Sequence, residues 1–74
     1  MNKLEFDLSK LRGRIVEKYG NNTAFADALN ISPQQLSPKL TGKVAITKED
    51  IVEWCPLLDI GIEEIGLYFF VLKV

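Results

Sequence analysis

Apolar positions recur at helical spacing along most of the chain, and each run stops at a capping or turn signal. Leu8, Leu11, Ile15, Val16 and Tyr19 share one side of a first predicted helix, with Asp7 as its expected N-cap and Gly20 as a left-handed stop. Residues 22–42 predict two short helices joined by a tight turn at Asn30-Ile31. Thr23 is the expected cap of the first, whose apolar face is Phe25, Ala26 and Leu29. Ser32-Pro33-Gln34-Gln35 is a capping box with proline at the first helical position, and Gly42 closes the second helix. Ile31, Leu36 and Leu40 should turn back toward the first helix, with Ala26 small at the crossing. A fourth helix is expected from Thr47, where Thr47-Lys48-Glu49-Asp50 resembles a capping box with Asp in place of Glu; Ile51, Val52, Trp54, Cys55 and Leu58 are its apolar surface and acids cluster in its first turn. A fifth begins near Gly61 and includes Ile62, Ile65 and Leu67. The fold class that follows is all-α, one domain of five helices over residues 1–74.

The period changes at the two ends. Leu4 and Phe6 alternate with Lys3, Glu5 and Asp7, as in a half-buried strand. Residues 67–74 are nearly all apolar, aromatic or β-branched, and could extend the last helix or form a short terminal strand against the N-terminus. So much apolar surface needs a cover, which can be the monomer core or a second copy in a homodimer.

Two prolines interrupt the helical pattern. Pro38 removes a backbone hydrogen bond and crowds the Gln34 carbonyl, a mid-helix penalty of about 3 kcal/mol. Pro56 does the same in the fourth helix. The expectation is that both helices kink or end early and resume as short turns.

Composition narrows the chemistry. An apolar fraction of 47% in 74 residues is enough for one small core. A single cysteine, Cys55, excludes an internal disulfide and a thiolate zinc site. Histidine is absent, and with it the commonest general base and metal ligand. There is no glycine-rich phosphate loop, and the adjacent Glu63 and Glu64 point apart on a helix. The sequence therefore argues against an enzyme and calls for no cofactor or metal. Charges are mixed among the first residues and no apolar run reaches the ~20 residues of a membrane span, so a cytoplasmic protein is expected. Trp54 and Cys55 are expected in or beside the core, Cys55 as a small buried residue without reactivity.

The net charge of −1 is divided unevenly. Residues 1–43 hold seven Lys or Arg against four acids, and residues 44–74 hold two against six. This suggests a phosphate-facing side and a distal side, or simply two solvated faces. Non-specific DNA affinity should be weak in either case.

Paired helices at residues 22–42 form the pattern of a helix-turn-helix, which presents its second helix to a partner. The candidate contact residues are Asn22, Thr23, Asp27, Ser32, Gln34, Gln35, Ser37, Lys39 and Lys43. Gln34 and Gln35 carry amides that can pair with adenine, and Ser32, Thr23 and Asn22 lie near helix N-termini where phosphate binds. Lys39 and Lys43 add charge. The same surface has few charges and small polar side chains, which suits a protein partner, and Asp27 could face a basic one.

The strings Leu11 to Gly20, Ala24-Phe25-Ala26, Leu29, Ile31-Ser32, Leu36-Ser37, Lys39-Leu40, Gly42-Lys43-Val44 and Glu64 to Phe70 resemble small phage helix-turn-helix regulators. These are the Cro-like and modulator-of-repression proteins of temperate phages of Gram-positive bacteria. The resemblance covers nearly the whole chain and implies a five-helix repressor-like fold and a part in the lysis–lysogeny switch. Its Cro-type members occupy operator DNA as dimers, and its modulator members oppose, or act together with, the phage repressor by binding that protein directly, so the partner expected here is the repressor through its DNA-binding domain. Pro38, Pro56 and Gly61 depart from the family pattern. Pro38 tilts the expectation toward the repressor, with operator DNA as the alternative.

Overall fold

The computed structural model describes residues 6–72. Among them are five α-helices: α1 Ser9–Tyr19, α2 Asn22–Leu29, α3 Pro33–Thr41, α4 Lys48–Leu58 and α5 Ile65–Phe69. A single 3-10 turn, Ile62–Glu64, leads into α5. The all-α class expected from the sequence is what the chain adopts. None of these helices is long and apolar enough to cross a membrane.

Local signals set most of the boundaries. Gly20 stops α1 at φ 88°, a left-handed conformation that favours glycine, and its N–H reaches the Val16 carbonyl at 2.8 Å. Asn30 (φ 61°) ends α2, and the Ile31 N–H donates to the Ala26 carbonyl at 3.0 Å. Two reciprocal capping boxes, Ser32 with Gln35 and Thr47 with Asp50, open α3 and α4.

Two caps differ from expectation. Asn21, not Thr23, caps α2, because its Oδ1 accepts from the Ala24 N–H at 2.8 Å. Asp7 sits two residues before α1 and accepts from both the N–H and the hydroxyl of Ser9.

The two prolines do not end their helices. α3 continues through Pro38 to Thr41, and α4 through Pro56 to Leu58. The carbonyls that lose a donor belong to Gln34 and Val52, both exposed residues where water can take the vacant acceptor.

The core contains Leu8, Leu11, Ile15, Phe25, Ala26, Leu29, Leu36, Leu40, Trp54, Leu58, Ile60, Tyr68 and Phe69. A file of aromatic rings crosses it. Tyr19 meets Phe25 at 5.2 Å, Phe25 meets Trp54 edge-on at 5.4 Å, and Trp54 meets Phe69 at 6.3 Å. Cys55 packs half-buried against this core, and burial pushes its thiol above the ordinary range. Several apolar residues given to helix faces stay outside, among them Val16, Val52, Ile62 and Leu67. They lie just beyond the narrow stripe that so small a core can cover.

The tail divides between two environments. Tyr68 and Phe69 enter the core, whereas Phe70, Val71 and Leu72 remain exposed after α5 ends at Phe69. Leu72 forms one antiparallel bridge with Phe6, and the Asp7 N–H donates to the Val71 carbonyl. The Phe6 and Phe70 rings meet edge-on at 5.7 Å. Among the described residues, the expected pairing of the two ends consists of this one bridge. The alternation at Lys3, Leu4 and Glu5, like Lys73 and Val74, falls outside the described residues.

Phe25→Ala removes the ring that joins three helices and should cost about 3–5 kcal/mol, close to the whole stability of a domain this size. Urea unfolding followed by the fluorescence of Trp54 is the measurement. A midpoint shift smaller than that of an ordinary surface substitution would show that the aromatic file is dispensable.

Candidate interaction surface on α2 and α3

The α2–turn–α3 pair is built from the inside outward. Phe25, Ala26 and Leu29 of α2 and Leu36 and Leu40 of α3 are buried, and Ile31 in the turn packs against them. Burying these positions forces the remaining ones into solvent. Asn22, Thr23, Asp27, Ser32, Gln34, Gln35, Ser37 and Lys43 are all exposed. Gln34, Ser37 and Thr41 follow one another at helical spacing down the outer side of α3. Asp27 lies in the last turn of α2, next to the Asn30 stop.

Not all of the candidates are unengaged. The Ser32 N–H donates to Gln35 Oε1 at 2.9 Å, and the Gln35 N–H donates to Ser32 Oγ at 3.2 Å, so both side chains hold the start of α3. Lys39 departs furthest from expectation. Its Nζ lies 2.7 Å from Asp50 Oδ2, and the two side chains are only 24% and 14% exposed. It faces α4, because a residue two positions beyond Ser37 falls on the flank of α3 and not on its outer side.

The two arginines of α1 are likewise tied to the rest of the fold. Arg12 Nη1 donates to the Leu40 carbonyl at 2.8 Å, in the last turn of α3. Arg14 donates through Nε to the Leu58 carbonyl and through Nη2 to the Asp59 carbonyl, at the end of α4. The Tyr19 hydroxyl reaches the Leu57 carbonyl at 3.0 Å. Positive groups at helix C-termini are favoured by the helix dipole and by the unpaired carbonyls there. Lys18 adds a looser, exposed pair with Asp59 at 3.6 Å, of the kind that contributes ~0–1 kcal/mol.

Sequence reasoning missed Arg12, Asn21 and Asp50 as parts of this site. Asn21 and Asp50 could have been found, since Asn three residues before Ala24 is a cap signal and Asp50 was already assigned to a capping box. Arg12 gave no such signal, because its acceptor lies 28 residues away.

The family model described as "Protein of unknown function (DUF739)" matches residues 4–71. The chain belongs to that family. A comparison with curated proteins gives no match. Among solved structures, this DUF739 member is similar to the modulator of repression (MOR) of the temperate bacteriophage TP901-1 from Lactococcus lactis. The two are 35% identical, the alignment covers 89% of each chain, and the TM-score is 0.79. The resemblance to small phage regulators is therefore borne out in both sequence and fold. No group of acids or cysteine suited to a metal ion occurs among the described residues.

Asp50 supplies a pH test of how α3 is held. Burial alone would raise its carboxyl, but hydrogen bonds from Lys39 and from the Thr47 N–H outweigh burial and hold it below the ordinary 3.8. A depressed folded-state pKa adds stability that is fully present above the unfolded value. That stability is lost as pH falls through the folded one. The stability gap between the native protein and Asp50→Asn should therefore be constant near neutrality and close progressively below about pH 4. Chemical unfolding at several pH values reads it, and a gap that persists at the acid end would contradict the pairing.

Proposed function

We propose that the protein is a phage regulator of repression that binds the DNA-binding domain of its cognate phage repressor through the helix-turn-helix surface of α2 and α3. The observation that carries this reading is the likeness to the TP901-1 modulator of repression, which extends over 89% of each chain at 35% identity. The surface chemistry supports a protein partner over phosphate. Lys39 is neutralised by Asp50, and Arg12 and Arg14 are turned onto helix carbonyls. What α3 presents outward is Gln34, Ser37 and Thr41, polar but uncharged, with the Asp27 carboxylate on the neighbouring helix. Such a face can pair with a basic, hydrogen-bonding surface, which is what a repressor offers to DNA. Occupying it would withhold the repressor from its operator.

One observation favours direct operator binding as a second reading. α3 is continuous through Pro38, so Gln34 stands on an unbroken helix with its amide available to an adenine edge. With Arg12, Arg14 and Lys39 engaged within the fold, that affinity would depend on a small number of phosphate contacts.

Size-exclusion of the protein with its cognate repressor, with and without operator DNA, separates the readings. A stable heteromeric complex is expected without DNA, and Gln34→Ala should weaken it about tenfold, the effect of a moderate hot-spot truncation. A mobility shift of the operator by this protein alone, steeply lost as salt rises, would instead favour the DNA reading. Full retention of the repressor complex by Gln34→Ala together with Asp27→Ala would contradict the proposed surface. The elution volume of the free protein also reports whether a second copy covers the exposed tail residues.

A further inference from the structure

Pro38 leaves α3 with one internal rung fewer, since it has no N–H to give the Gln34 carbonyl. The two residues that follow Pro38 are the two that neighbouring helices grip. From α1, Arg12 Nη1 holds the Leu40 carbonyl at 2.8 Å. From α4, Asp50 Oδ2 holds Lys39 Nζ at 2.7 Å. Asp50 is itself fixed, because its Oδ2 also accepts from the Thr47 N–H at 3.0 Å and its own N–H donates to Thr47 Oγ1 at 3.1 Å. The carboxylate that caps α4 is thus the one that anchors the last turn of α3. Leu36 and Leu40 seat α3, which packs most extensively on α2, and these polar ties fix its last turn toward α1 and α4.

We infer that Arg12 and Asp50 are positioning residues for the partner-binding surface. They splint α3 from outside where Pro38 weakens it, and Lys39 serves docking by fixing the pose of Gln34, Ser37 and Thr41, without touching the partner. This assignment rests on the proposed repressor-binding role of α3. The need for the splint arises from Pro38, so a helix without the proline should need the splint less.

The experiment is a mutant cycle read in two ways. Lys39→Met keeps the apolar stem and removes the charge, and Asp50→Asn keeps an acceptor for the Thr47 N–H. These two, their double variant and Arg12→Met are made in the native chain and in Pro38→Ala. Amide hydrogen exchange of residues 39–41 is measured in the free protein, and affinity for the cognate repressor is measured by titration. In the native chain each single change should speed exchange at residues 39–41 severalfold and weaken repressor binding about tenfold, a coupling of ordinary size for contacting groups. The Lys39→Met/Asp50→Asn double should lose no more than either single. In the Pro38→Ala chain these losses should shrink to about twofold or less.

Additive losses in the double variant would mean that Lys39 meets the repressor itself and would overturn the inference. So would losses of equal size in the Pro38→Ala chain, or exchange that does not respond at all. If exchange behaves as expected while the native protein forms no complex with the repressor, the splint stands and the repressor-binding role of α3 is what fails.

Discussion

The Phe25 ring is the contact on which the rest of the molecule depends. It is wholly buried, lies against Tyr19 of α1 on one side and meets Trp54 of α4 edge-on on the other. Trp54 carries the contact onward to Phe69 of α5. Aromatic pairs of this geometry contribute about 0.5–1.5 kcal/mol beyond the area they bury. In a 74-residue chain, where the core is near the smallest that suffices, four helices joined through adjoining rings leave little freedom in how α2 sits. Once α2 is placed, the Asn30 turn and the buried Leu36 and Leu40 place α3.

Polar groups then finish what the core begins. Helix C-termini present carbonyls without partners, and here α1 supplies them with donors: Arg12 for α3, and Arg14 and Tyr19 for α4. No buried side-chain polar atom among the described residues is left without a partner. Part of the uneven charge along the chain is therefore met within the molecule. The basic first half meets the acidic second half through Lys39 with Asp50 and Lys18 with Asp59, and the arginines bind the backbone. What remains on the outer face of α3 is amide and hydroxyl, not ammonium.

Most helix boundaries were legible in the sequence because they are decided by neighbours in the chain. Ser32 and Gln35, Thr47 and Asp50, and the glycines at positions 20 and 42 act within a few residues, and all function in the structure as read. The exposed face of α2 and α3 was legible for the same reason, since burying Phe25, Leu29, Leu36 and Leu40 determines which side chains face out. Long-range polar contacts were not. The sequence presents Lys39 as a charge on a helix, and only the packing of α4 beside α3 turns it toward Asp50. The local penalty at Pro38 and Pro56 predicts a kink or an early end, yet both helices run on past the proline. The outcome was set by where the orphaned carbonyls fall, on the solvent side, and by the surrounding contacts. Val52 and Ile62 show the opposite limit, being apolar at helical spacing yet 74% and 85% exposed because the core has no room for them.

A map of backbone amide shifts in the isotope-labelled protein, on titration with the DNA-binding domain of its cognate repressor, shows whether α2 and α3 form the docking face. The shifted amides should cluster at Asp27, Ser32, Gln34, Gln35 and Ser37, with the face around Phe70 and Leu72 undisturbed. Shifts confined to α5 and the tail, with α2 and α3 unchanged, would contradict that docking face.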